Sequence, residues 1–549
     1  MPIHSRSRRW VLPAILLLLV PGARAAGQGG TAPVGPSDPV YRDVDRLAQL
    51  GVLDSVVLVP RPYSRRELLR IATAAQGRLA TDTSVLRQRE AAAIVARMVA
   101  RFRPGEATRP QPLLVVPVDG VSLGAVSTDA VRRGFAGTFP EQLEATIDPL
   151  SLPRRLGPPA PRGQSAALEL AQRVEVRDWL AVHARERFEA ASAAEPEGPS
   201  TRADLLLGGA RLRVSNVALS VGREQLAWAT TDEEGLFLAA DAPALDQVSL
   251  ASDHPFVLPG FLRSLGPTQA DLFLADLGPS VVRSGSRLLG YKVSILPSPA
   301  VELGASFLNH FGGEGAPAAS LGDRVIDFLP FVDIFRRHNY TDTTRALDVE
   351  SDKLLGVNAR VRIARLSGLT LATELLIDDF DVHRIPTLFG WDGSQTFSAM
   401  LPSVSGSPFS LGVNAAHTGI RTYTHGPLSN GITSRGILLG DELGPDTKAF
   451  GATVGWHGPQ GGRAMLGWRS ELYSRSDYHI VDVESRFTPH RVGSVINELR
   501  DRLVASMEWP HARNVTFLAR AGIERIRNAD FEPGTRHSYR VDVGARLDH

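Results

Sequence analysis

The 549-residue chain contains no cysteine. Disulfides, thiolate zinc sites and thiol nucleophiles are therefore excluded, and a chain without thiols cannot mispair in an oxidising compartment. Lysine is scarce too: Lys292, Lys353 and Lys448 are present, and arginine carries the remaining positive charge. Lys plus Arg number 60 against 59 Asp plus Glu, a net charge of +1 that offers no general field for nucleic acid. Beyond the first segment, no apolar run approaches the roughly 20 residues of a membrane-crossing helix. A mature chain that spans a membrane must then do so as a β-barrel, the other structure that satisfies its own backbone in lipid.

Residues 1–25 read as an export signal. Arg6, Arg8 and Arg9 precede an apolar stretch from Trp10 to Val20, and Ala23-Arg24-Ala25 is a small-x-small cleavage site. The mature chain is expected to begin near Ala26.

Residues 26–111 read as a helical bundle. Ser37-Asp38-Pro39 is a helix start, followed by Val40, Val44 and Leu47 at helical spacing and by Gly51 as a C-terminal cap. Ser64 and Glu67 form a capping box ahead of the apolar stripe Leu68, Ile71, Ala72 and Ala75. A third helix is expected from Ser84 to Phe102, with Ile94, Val95, Met98 and Val99 on one face. A helix-turn-helix that binds DNA is argued against by the export signal.

From Pro112 the period changes to two. Leu289, Tyr291, Val293 and Ile295 alternate with Gly290, Lys292 and Ser294, and after Pro297-Ser298-Pro299 so do Val301, Leu303, Ala305 and Phe307 with their polar neighbours. Leu355 to Ile363, Leu369 to Asp378, Leu503 to Ala519 and Tyr539 to Leu547 repeat the pattern. A soluble sandwich alternates as well. Three features favour a transmembrane barrel over residues 112–549: charged residues in mid-strand, short turns facing long polar segments such as Phe311 to Ser351, and aromatics suited to interfacial girdles (Tyr291, Phe307, Trp456, Trp468, Trp509 and Tyr539). The length suits roughly 16 to 18 strands.

Several segments resemble the Wzi-type capsule assembly proteins. They are Asp45-Arg46-Leu47-Ala48 through Gly51, Arg61-Pro62-Tyr63-Ser64-Arg65, Val221-Gly222-Arg223 with Trp228, Glu374 to Phe380, Tyr423-Thr424-His425, and Leu439 to Asp446. The resemblance implies an outer-membrane barrel of 18 strands with the helical bundle at its periplasmic end. It also implies a lectin-like role in fixing capsular or other surface polysaccharide to the cell. The other function considered is a diffusion channel or transporter on the same barrel. The partners expected are the polysaccharide and outer-membrane lipid, with no nucleic acid.

Chemistry is sparse. Glu374 and Asp378 share the lumen face four residues apart, about 13 Å along a strand, too far for a glycosidase pair. Lumen carboxylates paired with arginines such as Arg360 and Arg362 are expected instead. Asp378, Asp379, Asp381 and His383 offer hard ligands for a cation but fit no loop signature, and an ordinary polar strand end is expected. His310, His338 and Tyr340 are expected in a solvated loop. No Gly-x-Ser-x-Gly nucleophile elbow, His-Glu-x-x-His site or phosphate-binding glycine loop is read in the sequence. The reading is a non-enzyme with no catalytic, cofactor or metal residue, and it assigns no individual binding residue.

Overall fold

The computed structural model describes residues 30–82, 85–103, 112–131, 133–134, 145–147, 150, 155–193, 199–231, 235–280, 282–318, 320–329, 351–378, 393–420, 422–424, 428, 430–480, 487–491, 496–511 and 514–548. The expected export signal lies outside them, as does Ser84.

Three helices come first: α1 (Val40–Gln49), α2 (Arg65–Thr81) and α3 (Gln88–Phe102). The Asp38 carboxylate accepts from the Val40 amide at 3.0 Å, and the α1 end reverses at Gly51, whose φ of 80° suits glycine. Ser64 Oγ accepts from the Glu67 amide at 3.2 Å. Only half of the capping box forms, because both Glu67 oxygens are held by Arg70 at 2.6 Å. The third helix begins at Gln88, four residues later than its apolar stripe suggests, and its buried face carries the expected Ile94, Val95, Met98 and Val99.

Among the described residues, eighteen long strands then close into an antiparallel barrel. They are β1 (Leu113–Thr128), β2 (Gly163–Val176), β3 (Leu180–Ala193), β4 (Pro199–Val214), β5 (Val217–Glu224), β6 (Leu245–Ser252), β7 (Pro267–Asp276), β8 (Arg287–Ser298), β9 (Val301–Phe311), β10 (Ser351–Ile363), β11 (Leu369–Asp378), β12 (Gly393–Leu401), β13 (Phe409–His417), β14 (Thr447–His457), β15 (Arg463–Tyr473), β16 (Glu498–Pro510), β17 (Val515–Arg527) and β18 (Thr535–Asp548). The ring closes where β18 pairs with β1, with Gly544 opposite Gly124. Connections such as 177–179, 215–216 and 299–300 gather at one end, the turn end. Long ones such as 225–244, 312–350 and 418–446 gather at the other, the loop end.

Burial decides between sandwich and membrane barrel. On β8, Lys292 and Ser294 are 1 % and 0 % exposed, whereas Val293 between them is 42 % exposed. The polar face points inward and the apolar face outward, the polarity of a wall solvated by lipid. Trp456 and Trp509 stack at 6.3 Å near the turn end, as a girdle requires. Tyr291 and Trp468 sit nearer mid-strand than expected, and Phe307, stacked on Tyr291 at 4.9 Å, is buried. Phe307 lies two residues from Asn309 on the outward face, where a short helix, α4 (Leu321–Asp327), is laid over the wall. Asp327 at its end takes bonds from Asn309 (2.8 Å), Ser351 (2.7 Å) and Lys353 (2.9 Å).

The helical bundle seats in the turn end through polar contacts with the wall. Glu302 accepts from the Leu58 and Val59 amides, both at 3.1 Å. Arg46 donates to the Pro402 carbonyl at 2.7 Å, and Arg362 of β10 donates to the Gln49 carbonyl at 2.9 Å. Asp38 is gripped by Arg101 from α3, at 2.8 Å to each oxygen, and by Arg546 from β18. Burial alone would raise the Asp38 carboxyl, but the two guanidiniums outweigh it and hold the pKa well below the ordinary 3.8.

Two outcomes follow. Leu272→Arg, on the outward face of β7, should cost about 2–4 kcal/mol of folding free energy in lipid vesicles, read by guanidinium titration. A cost under about 0.5 kcal/mol, ordinary for a water-facing surface site, would contradict a lipid-facing wall. An acid whose pKa falls on folding adds stability above its unfolded value and loses it as pH drops through the folded one. The Asp38 contribution to bundle docking should therefore persist from neutral pH down to the ordinary 3.8 and fade only below it. Limited proteolysis of the bundle across that range, with Asp38→Asn as reference, checks the order.

Candidate functional site

Strand β5 stops at Glu224 and β6 starts at Leu245, and the chain between them turns into the lumen. Its apolar residues Leu226, Trp228, Leu236, Phe237 and Leu238 are buried there. A two-way backbone pair with Arg61 of the bundle anchors Ala227, at 2.9 and 3.1 Å. Trp228 donates from Nε1 to Asp271 on β7 at 3.1 Å and meets Phe273 edge-on at 5.4 Å.

The 418–446 segment folds inward from the other side. Tyr423 donates from its hydroxyl to the Leu236 carbonyl (2.8 Å) and accepts from the Asp441 amide (3.0 Å). The Ala239 amide donates to the Leu439 carbonyl at 2.9 Å, so the two infolded segments form one knot. The knot and the bundle share a continuous apolar core inside the barrel. Two glycines make the fit possible. A Cβ on Gly356 of β10 would strike the Phe237 ring, and one on Gly440 would strike the Tyr423 hydroxyl.

Charged wall residues hold this knot. Glu374 on β11 accepts from the Thr230 amide (2.6 Å), the Thr230 hydroxyl (2.8 Å) and the Leu236 amide (2.9 Å). Asp378 accepts from the Tyr423 amide at 3.0 Å. Opposite, Arg502 of β16 joins Glu442 of the infolded segment (2.8 Å) to Glu471 and Glu524 of neighbouring strands (both 3.1 Å). These groups are buried, where each ion must be paired and hydrogen-bonded to persist.

The sequence placed Glu374 and Asp378 on the lumen face, and they are there. Their described partners include backbone groups of the infolded segments. Loop groups reach both, Thr230 and Leu236 at Glu374 and the Tyr423 amide at Asp378, while Arg362 is turned to Gln49 and Arg360 stands opposite Glu302 in the ladder. A carboxylate can accept several backbone donors at once, so an inward loop competes well for it. His310 is not a loop residue: it lies on β9, buried, with Nε2 2.9 Å from Ser286 Oγ. Asp379, Asp381, His383, His338 and Tyr340 fall outside the described residues. Gly120-Val121-Ser122-Leu123-Gly124 does have the Gly-x-Ser-x-Gly spacing, yet it lies within β1 rather than on a strand-to-helix turn. Ser122 therefore lacks the geometry of an activated nucleophile. Trp228 and Arg502 were missed as anchors. The signal for Trp228 was present: apolar triplets 227–229 and 236–238 stand in a stretch without strand alternation.

Charges also stand at the outer rim. Asp246 is shared by Arg223 (2.7 Å) and by Arg435 of the infolded segment (3.2 Å), Arg527 faces Asp501 (3.5 Å), and Arg536 faces Asp530 (3.3 Å). These pairs are solvent-exposed, so each contributes little to stability and remains available to hydroxyl or anionic groups.

A family model described as capsule assembly protein Wzi matches residues 152–539. Among solved structures, Wzi of Escherichia coli is described as an outer-membrane protein involved in group 1 capsule assembly and as a carbohydrate-binding β-barrel. It superposes with a TM-score of 0.65 at 15 % identity, over 94 % of this chain and 99 % of that one. OccK11 of Pseudomonas aeruginosa matches at a TM-score of 0.41 and 10 % identity, over 78 % of this chain and 95 % of that one. No curated protein matches.

Glu374→Gln tests the anchoring. It removes the charge from an acceptor of three donors, which should lower the opening free energy of the knot by about 2–3 kcal/mol. Hydrogen exchange at Thr230 and Leu236 should accelerate accordingly. Unchanged protection there would show that the knot stands without the carboxylate.

Proposed function

The chain belongs to the Wzi capsule assembly family, and from that membership we propose that it attaches or organises capsular or related polysaccharide at the cell surface by binding without turnover. The barrel sits in the outer membrane, with its short turns and helical bundle toward the periplasm and its long connections outward, the usual sidedness of such barrels. The observation that carries the reading is protein folded into the lumen from both ends: among the described residues the bundle and the infolded segments share one apolar core, which supports a backed outward surface over an open mouth.

A repeating glycan meets that surface through weak contacts. Rim guanidiniums and carboxylates such as Arg435 and Asp246 offer donors and acceptors in fixed pairs. Each contact is small, and attachment is strong because many repeats engage many copies. A diffusion channel needs an aqueous path through the lumen, which the bundle and the knot oppose.

Purified protein should bind the producing strain's surface polysaccharide saturably and show no steady single-channel conductance. Arg435→Ala should weaken binding by roughly three- to tenfold, the scale of about 0.7–1.4 kcal/mol. Steady conductance with no polysaccharide binding would overturn the proposal in favour of a channel.

A further inference from the structure

The turn between β6 and β7, residues 253–266, is long beside its neighbours 177–179, 215–216 and 299–300. Its tip, Phe256-Val257-Leu258-Pro259-Gly260-Phe261-Leu262, contains no charged residue. The tip is also open: Phe261 is 88 % exposed and Val257 53 %. Its base is held firmly. Arg211 pairs with Asp253 at 3.1 Å, and Asn216 exchanges two 2.9 Å bonds with the His254 backbone.

Register shows which way the tip faces. Phe256 pairs with Thr268, which pairs with Ile295 in the next strand. Tyr291, Val293 and Ile295 belong to the outward face of β8, so Phe256, in register with Thr268 and Ile295, lies on that face beyond the last rung between β6 and β7. The tip then coils as a 3-10 turn over Gly260–Leu265, with Gly260 at a φ of 66° and Arg263 as its cation. An apolar surface continuous with a lipid-facing wall, carrying one arginine, matches the boundary between acyl chains and phosphates.

We propose that this turn is a membrane anchor that inserts Phe261 and its neighbours into the phospholipid leaflet on the bundle side of the barrel. The placement rests on the sidedness given under the proposed function. The anchor sets the depth of the β5–β7 sector, whose strands β5 and β6 are the shortest in the wall. Arg263 serves as its phosphate contact.

Absence of cysteine makes the test direct. Phe261→Cys and, separately, Phe256→Cys are made in the full chain, nitroxide-labelled and reconstituted into phosphatidylethanolamine/phosphatidylglycerol vesicles. Leu272→Cys on the lipid-facing wall and Asn514→Cys at the exposed residue before β17 are the references, and heat-modifiable gel mobility verifies that each barrel is folded. The expected result is collision with oxygen exceeding collision with a water-soluble nickel complex at both sites, near the Leu272→Cys ratio. A label reading as aqueous, like Asn514→Cys, overturns the anchor. So does a label shielded from both agents, which would mean protein covers the turn. Either failure leaves polysaccharide binding untouched, so the two readings fall separately.

Discussion

A closed barrel in lipid turns its apolar face outward, and its mostly polar inner face must therefore hold what lies inside largely by hydrogen bonds and charge pairs. The rest of this structure follows from that constraint. The lumen wall offers Glu302, Glu374, Asp378 and Arg502, and each is matched by an amide, a carbonyl or an opposite charge on whatever fills the lumen. Apolar residues of the inserted segments, such as Trp228, Phe237 and Tyr423, pack against inward apolar residues of the wall such as Phe273, Leu308 and Leu354. The bundle and the knot are thus both guests of a polar wall, recognised by the same chemistry from opposite ends.

Much of the wall was legible in the sequence, because period-two alternation is local. The β8–β9 hairpin is the clearest case: alternation from Leu289 to Phe307 predicts its faces, and the ladder places Tyr291 opposite Phe307. The N-terminal helices were legible for the same reason, through stripes and caps. Only the start of α3 shifted, where Arg87 enters with a φ of 54° instead of a capping side chain.

The site was legible only in part. Which face Glu374 occupies follows from parity along a strand. What it binds does not, because Thr230 and Leu236 lie far away in sequence and reach it only when a surface connection turns inward. Segments that resemble the family (Trp228, Glu374 to Asp378, Tyr423 and Leu439 to Asp446) prove to be the parts of this knot and its anchors. Each is unremarkable alone, and their convergence is a property of the closed barrel. Between Pro112 and Pro199, proline and alanine blur the pattern, yet β1, β2 and β3 run through that stretch.

The grip on Asp38 gives the molecule an order of assembly. Its two guanidiniums come from Arg101, early in the chain, and from Arg546 in the last strand, 508 positions away. A chain still emerging, or a barrel whose final strand has not zipped to the first, can form the helices but cannot finish this clasp. The full set of contacts that seats the N-terminal helices exists only once the wall has closed. The end made first waits for the end made last.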